Sequence, residues 1–396
     1  MGCTSSNPQQ PKSLNNKTPA LFTSYKMGDV VLQNRIVMAA LTRCRTNPAD
    51  KIPNNLLVEY YSARADAGFI LTECTSCRVD GDCFPGSAGI YSDAQVEGWK
   101  KVTKAVHDKG GKIYLQIWHA GRSAHPSQIG GVTPLSSSPV ALNESVYTMN
   151  GKEQLVVPKE ATIAEIQELI KAFRHGAENA KKAGFDGIEL HAGHGYIVDQ
   201  FLRDCVNKRT DDYGGSIQNR CRLTLEILDQ LVAVFGKGRV GMKISPLNEY
   251  NGMSDSNPFE LFTYLLEQAS KKGIAFVEVN EGISFDAADH ATKLVKHLAN
   301  QTKKTVREIL KPHFKGTYIS NFKHEYDSAT QVIQEGKAEL VSFGTHFVCN
   351  NDLVQRFKNG TPLRGLQNVK DMSKLQAVYF YGNTALGYTD LSPYEA

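Results

Sequence analysis

The segment His191-Ala192-Gly193-His194-Gly195-Tyr196 places two imidazoles and a phenol within one short turn, directly after the apolar run DGIEL at 186–190. Imidazoles three residues apart match a metal-ligand spacing, but Gly193 and Gly195 make the turn flexible and no third ligand is evident. The same pair also serves as two N–H donors aimed into a cleft. There they would hold the oxygen of a carbonyl or nitro group and strengthen as it gains charge, the logic of an oxyanion hole. Tyr196, with an ordinary pKa of about 10, stays protonated near neutral pH. It either donates a proton to a reacting carbon or fills a core position with its hydroxyl satisfied by backbone.

Other polar residues stand at the ends of similar apolar runs. Leu41 and Thr42 follow the run RIVMAA at 35–40, Gln116 and Trp118 lie in KIYLQIW at 112–118, and Lys243 lies in VGMKI at 240–244. A hydroxyl, a carboxamide, two imidazoles, a phenol and an ammonium suit a planar heterocycle with donor and acceptor edges.

Bringing these groups together requires a scaffold in which the ends of distant strands converge. Besides the four runs named, FILTE at 69–73, AFVEV at 275–279, GTYIS at 316–320 and ELVSFG at 339–344 complete a set of eight. Their near-continuous apolar character is that of parallel strands buried on both faces. Helix-period stretches alternate with them at 54–67, 94–109, 162–183, 219–235, 258–272 and 327–335. In the fourth, Leu223, Ile227, Leu231 and Val234 repeat along one face before Gly236 and Gly238. The pattern predicts an α/β fold, a (β/α)8 barrel, with active-site groups at the C-terminal strand ends. A doubly wound open sheet would need a G-x-G-x-x-G turn after its first strand, where this chain has AALTRCR. Residues 119–161, rich in Ser, Asn, Pro and Gly, exceed an ordinary connection and are read as a capping insertion between the third and fourth strands.

The chain resembles the old yellow enzyme family of FMN-dependent NADPH dehydrogenases and ene-reductases. The resemblance covers nearly everything after about residue 20. It rests on ALTRCR at 40–45, YYSARADAGFILTE at 60–73, LQIWHAGR at 115–122, DGIELHAGHGYIVDQFL at 186–202, NKRTDDYGGSIQNR at 207–220 and FYGNTALGYTD at 380–390. It implies bound FMN, reduced by NADPH (NADH serving as well), which then reduces an activated C=C bond in a small molecule by alternating, ping-pong hydride transfer. It further implies that His191 and His194 bind the substrate's activating oxygen and Tyr196 protonates its carbon. Trp118 and Tyr381 would line the substrate pocket, with Ala40, Leu41, Thr42, Gln116, Lys243, Phe380 and Tyr381 around the flavin. At the phosphate end the chain departs from the family. Where a Gly-rich turn and then Gly-Arg are usual, it has Asn321, Phe322 and Lys323, then Gly344 and Thr345, so the arginine is absent and Lys323 is the substitute cation. Lys243 likewise replaces an arginine, a point charge in place of a planar fork. An iron–sulfur dienoyl reductase would need a cysteine cluster and further dinucleotide-binding domains. The competing reading is a barrel that binds flavin as a scaffold without catalysis.

Composition excludes other classes. Forty-five Lys plus Arg against 41 Asp plus Glu leave a formal +4 with no basic run, so nucleic acid is not an expected partner. Eight cysteines without a signal peptide point to a reducing, cytoplasmic setting, and Cys74-x-x-Cys77 has no second pair at zinc spacing, so no metal site is expected. Residues 1–20 read as a polar, disordered leader and 21–396 as one domain. Within the leader, Gly2 and Ser6 fit a myristoylation pattern, and Cys3 beside them is a palmitoylation candidate. Membrane association is expected only if both are acylated, because one chain binds marginally.

Overall fold

The computed structural model describes residues 19–282 and 304–395. Gly2, Cys3 and Ser6 lie outside the described residues. Ala20–Phe22 form a helical turn whose Leu21 is fully buried.

The chain opens with a hairpin of β1 (Tyr25–Met27) and β2 (Val30–Leu32), which the strand pattern had not indicated. Barrel strands β3 (Ile36–Met38) and β4 (Phe69–Leu71) follow; after the short β5 (Thr75–Ser76) comes β6 (Ile113–Trp118). The insertion contributes β7 (Leu135–Ser136), the antiparallel pair β8 (Ser145–Thr148) and β9 (Gly151–Gln154), and β10 (Lys159–Glu160). The remaining barrel strands are β11 (Gly187–His191), β12 (Val240–Ile244), β13 (Phe276–Asn280), β14 (Thr317–Asn321) and β15 (Leu340–Phe343). Each of the eight pairs in parallel with its neighbours, and β6 pairs with β11 while β15 pairs with β3, so the sheet closes. Closure satisfies every edge, which an open doubly wound sheet would not.

Six helices, Asn55–Ser62, Asp93–His107, Ile163–Lys182, Ile217–Phe235, Pro258–Lys272 and Tyr326–Gln334, stand where the periodicity placed them. Their starts are chemically determined. Ser92 and Thr162 form capping boxes with Gln95 and Glu165, and Asn257 caps a helix that begins with Pro258. Among the described residues no helix is long and apolar enough to cross a membrane.

The barrel interior divides into an apolar floor and a polar mouth. Met27, Val30 and Leu32 of the hairpin pack with Phe69, Tyr114, Phe276, Ile319 and Leu340, plugging the N-terminal end. Tyr114 and Phe276 fit there because Gly187 and Gly241 carry no side chain; a Cβ at either would approach those rings to 2.0 or 2.1 Å. Above this floor the inward positions turn polar, and chemistry begins.

Candidate active site

His191 ends β11 and lies in register with Lys243 of β12, which in turn lies in register with Glu278 of β13. This layer puts an imidazole, an ammonium and a carboxylate side by side just above the apolar floor. The turn after β11 is fixed from several directions. His194 has φ +56°, and its N–H donates to Ser245 Oγ at 2.8 Å while its carbonyl accepts from Asn251 at 2.9 Å. Gly195 has φ +75°, and a Cβ there would meet Asn251 at 2.5 Å. The short helix Ile197–Leu202 closes the turn: Asp199 accepts from the Gly195 N–H, and Gln200 donates to the Gly195 carbonyl. What reads as a flexible glycine turn in sequence is a rigid one in the fold.

The rings that follow from this turn lie edge to face. His191 is 5.4 Å from His194 and 5.1 Å from Tyr196, and Tyr196 is 4.5 Å from Trp118. All four side chains are buried. Burial, helped by the Lys243 charge, pushes His191 down to about 3; burial and its charged neighbours push His194 well below the ordinary imidazole value. Both rings are therefore neutral near pH 7, with one N–H each. Burial also pushes Tyr196 well above the ordinary phenol value, so it is a proton donor and not a base.

A continuous polar network crosses the mouth beneath these rings. Asn321 donates to Ser342 Oγ at 2.7 Å, Ser342 donates to Glu278 at 2.6 Å, and Glu278 pairs with Lys243 at 3.0 Å. On the other side Gln116 donates to Glu189 at 2.6 Å and accepts from Cys74 Sγ at 3.1 Å, and the Cys74 thiol also meets the Thr42 hydroxyl. Burial opposes the charge on Lys243, but Glu278 and Glu189 hold it above the usual lysine value. Burial together with the Glu278 charge pushes Glu189 well above the ordinary carboxylate range. The Lys243 charge is offset at contact distance by the Glu278 carboxylate, two strands from His191.

The remaining candidates fall into two places. Asn321, Phe322, Lys323, Gly344 and Thr345 gather at the ends of β14 and β15, with Phe322 and Lys323 at φ +135° and +49°. Lys323 Nζ lies 5.2 Å from the Phe322 ring centre, and Thr345 begins the short helix Thr345–Cys349. Leu41 faces Gly344 closely enough that a Cβ there would touch it at 3.4 Å, which joins the ends of β3 and β15, while Ala40 packs on the apolar floor. Tyr381, half-exposed, lies across the mouth; Phe380 beside it is described in its backbone only.

Five contributors were assigned no role at the site in the sequence reading. Phe84, from the loop after β5, stacks between Trp118 and Tyr381 at 6.0 Å from each. Glu278 lies in a run read only as strand, Asn280 directly follows that run, and Cys74 was weighed only as half of a C-x-x-C pair. Glu73, buried at the end of β4, accepts from the backbone N–H groups of Arg43 and Cys44 at 3.4 Å each, bracing the loop that carries Thr42. Arg43 and Arg45 then reach the carbonyls of Tyr379, Thr384 and Gly387, which places Tyr381 from the opposite end of the chain. ALTRCR and FYGNTALGYTD thus touch, although nothing in either segment announces the other.

A model of the NADH:flavin oxidoreductase / NADH oxidase family matches residues 20–364. A probable flavin mononucleotide-dependent alkene reductase of Leishmania infantum is 38% identical over 92% of this chain and 94% of its own. The old yellow enzyme of Trypanosoma cruzi superimposes with a TM-score of 0.85 at 34% identity, covering 95% of this chain and 99% of that one. Morphinone reductase, solved also in complex with tetrahydroNAD, gives 0.84 at 35% identity over 95% and 96%. This chain belongs to that NADH:flavin oxidoreductase family, the old yellow enzymes, and is an FMN-dependent oxidoreductase that uses a nicotinamide coenzyme.

Proposed function

We propose that the chain is an ene-reductase in which residues 21–396 act as one catalytic unit, 119–161 form its cap, and a small electron-poor alkene binds against His191, His194 and Tyr196. FMN, when bound, supplies hydride acceptance from the nicotinamide and hydride donation to the alkene. The mouth fits such a group. Gln116 keeps a second amide N–H beyond the one given to Glu189, Lys243 holds a buried ammonium, and Glu189 Oε1 and Trp118 Nε1 are buried without partners among the described residues. Gln116, Lys243 and Thr42 are assigned to the pyrimidine edge of the flavin. Ala40, Leu41, Phe380 and Tyr381 are assigned to its ring faces. Asn321, Phe322, Lys323, Gly344 and Thr345 are assigned to its phosphate, where Lys323 supplies the cation.

The observation that carries the reading is the pair of neutral imidazoles 5.4 Å apart beside a protonated phenol 5.1 Å from His191. The imidazoles donate to the carbonyl, nitro or quinone oxygen and withdraw electron density from the β-carbon. Tyr196 delivers its proton to the α-carbon. Trp118, Phe84 and Tyr381 exclude water and flatten the bound alkene. Since the nicotinamide and alkene share this mouth, they bind alternately.

The test is anaerobic reduction of the FMN-loaded protein by NADPH followed by addition of cyclohexenone. Reoxidation of the flavin without oxygen is the expected result. Failure to reoxidise would favour the scaffold reading, and absence of flavin absorbance with excess FMN would overturn both. The Gly2 and Cys3 pattern supports membrane attachment by dual acylation, read out as intact mass from the native host.

A further inference from the structure

Asn280 ends β13, is 2% exposed, and reaches His194 from the side opposite β11. Its amide orientation is set by a second contact. Oδ1 accepts the Gly282 N–H at 2.9 Å, so the group turned to His194 Nε2, 3.1 Å away, is the NH2. An NH2 cannot accept, so Nε2 must present its lone pair. A neutral imidazole with a lone pair on Nε2 carries its hydrogen on Nδ1. His191 is set the other way. Its Nδ1 faces the Gly193 N–H at 3.4 Å, which leaves the hydrogen on Nε2.

We propose that Asn280 is a positioning residue: by donating to His194 Nε2 it selects the Nδ1–H tautomer and thereby decides which His194 nitrogen donates to a substrate oxygen. The two imidazoles then offer opposite ring nitrogens, Nε2 from His191 and Nδ1 from His194. An oxygen held by both N–H groups receives two donors and no opposing lone pair. The proposal rests on the reading that this pair binds the activating oxygen, and its first test does not depend on that reading.

That test is nitrogen-15 NMR of the FMN-loaded protein labelled at histidine, with the His194 signals identified by their loss in His194→Gln. The expected result is a hydrogen-bearing Nδ1 and an unprotonated Nε2 at neutral pH. A hydrogen-bearing Nε2 in the unsubstituted protein overturns the proposal with no variant needed. Asn280→Asp replaces the donor by an acceptor, so Nε2 should gain a hydrogen; an unchanged Nε2 there also overturns it. The consequence for binding is a loss of cyclohexenone affinity by roughly tenfold to a hundredfold in Asn280→Asp. Asn280→Leu, which offers neither donor nor acceptor, should fall between the two. A changed tautomer with unchanged enone affinity overturns the link to the reaction. Failure of the underlying reading looks different: His191→Ala and His194→Ala would then each leave enone affinity intact while the tautomer of the unsubstituted protein is as assigned.

Discussion

Glu73 is the group at which stability and site geometry meet most directly. Its carboxyl is buried at the end of β4, one oxygen accepting from two backbone N–H groups and the other without a partner among the described residues. Burial outweighs those donors and the nearby arginines, and raises the group from 4.5 to about 7. At about 1.4 kcal/mol per unit this corresponds to about 3 kcal/mol of pH-linked stability. The sign follows from which state ionises first. Between about pH 4.5 and 7 the unfolded chain loses this proton while the folded protein keeps it, so stability is full below 4.5 and declines as pH rises toward 7. Glu73→Gln keeps an acceptor for the Arg43 and Cys44 N–H groups and cannot ionise. Its stability relative to the unsubstituted protein should therefore rise by about 3 kcal/mol between pH 4 and pH 8. Urea unfolding at fixed ionic strength and FMN concentration, followed by circular dichroism at half-unit pH intervals, measures the difference directly. A difference between the two proteins that is constant across this range would refute the assignment of a raised, buried carboxyl. A variant less stable by the same margin at every pH would instead locate the role of Glu73 in its backbone contacts alone.

Four further outcomes are expected. Tyr196→Phe should leave flavin reduction by NADPH unchanged while slowing alkene reduction by about 100-fold to 10,000-fold for weakly activated enones, as resolved by stopped-flow measurement of each half-reaction. Lys243→Met leaves Glu278 buried without its cation and should cost about 3–5 kcal/mol of stability, most of it recovered in the Lys243→Met/Glu278→Leu double variant, by thermal unfolding of the FMN-free proteins. Because His191 and His194 are both held neutral by burial, cyclohexenone affinity should be flat from pH 5.5 to 8; a transition near the ordinary imidazole value of about 6.5 would contradict this. Phe84→Ala removes the ring between Trp118 and Tyr381 and should lower KM for bulky β-substituted enones relative to cyclohexenone, with the opposite ranking counting against Phe84 as a pocket wall.

Much of the fold is legible in the chain because its signals are local. Each barrel strand is an apolar run of a few residues, each helix start carries its own cap, and both survive without knowledge of the partner. The hairpin at Tyr25–Leu32 escaped because its three-residue strands are too short to show a period. His191, His194 and Tyr196 were legible because they share one turn, and Thr42, Gln116 and Lys243 because each ends an apolar run. Glu278 and Asn280 looked like ordinary polar interruptions of a strand. Their meaning depends on pairing with Lys243 and His194, residues 35 and 86 positions away.

By itself, then, the sequence determined the alternation of strands and helices and the identity of the groups at the strand ends, since hydrophobic period and side-chain chemistry are properties of single segments. Only the tertiary structure decided how those groups are charged and aimed. Closing the barrel set Glu278 against Lys243, drew Asn280 to His194 and brought Arg43 beneath Tyr379, and it removed water from all of them. Protonation state, tautomer and field depend on distance and dielectric, which are fixed only when remote strands come into register.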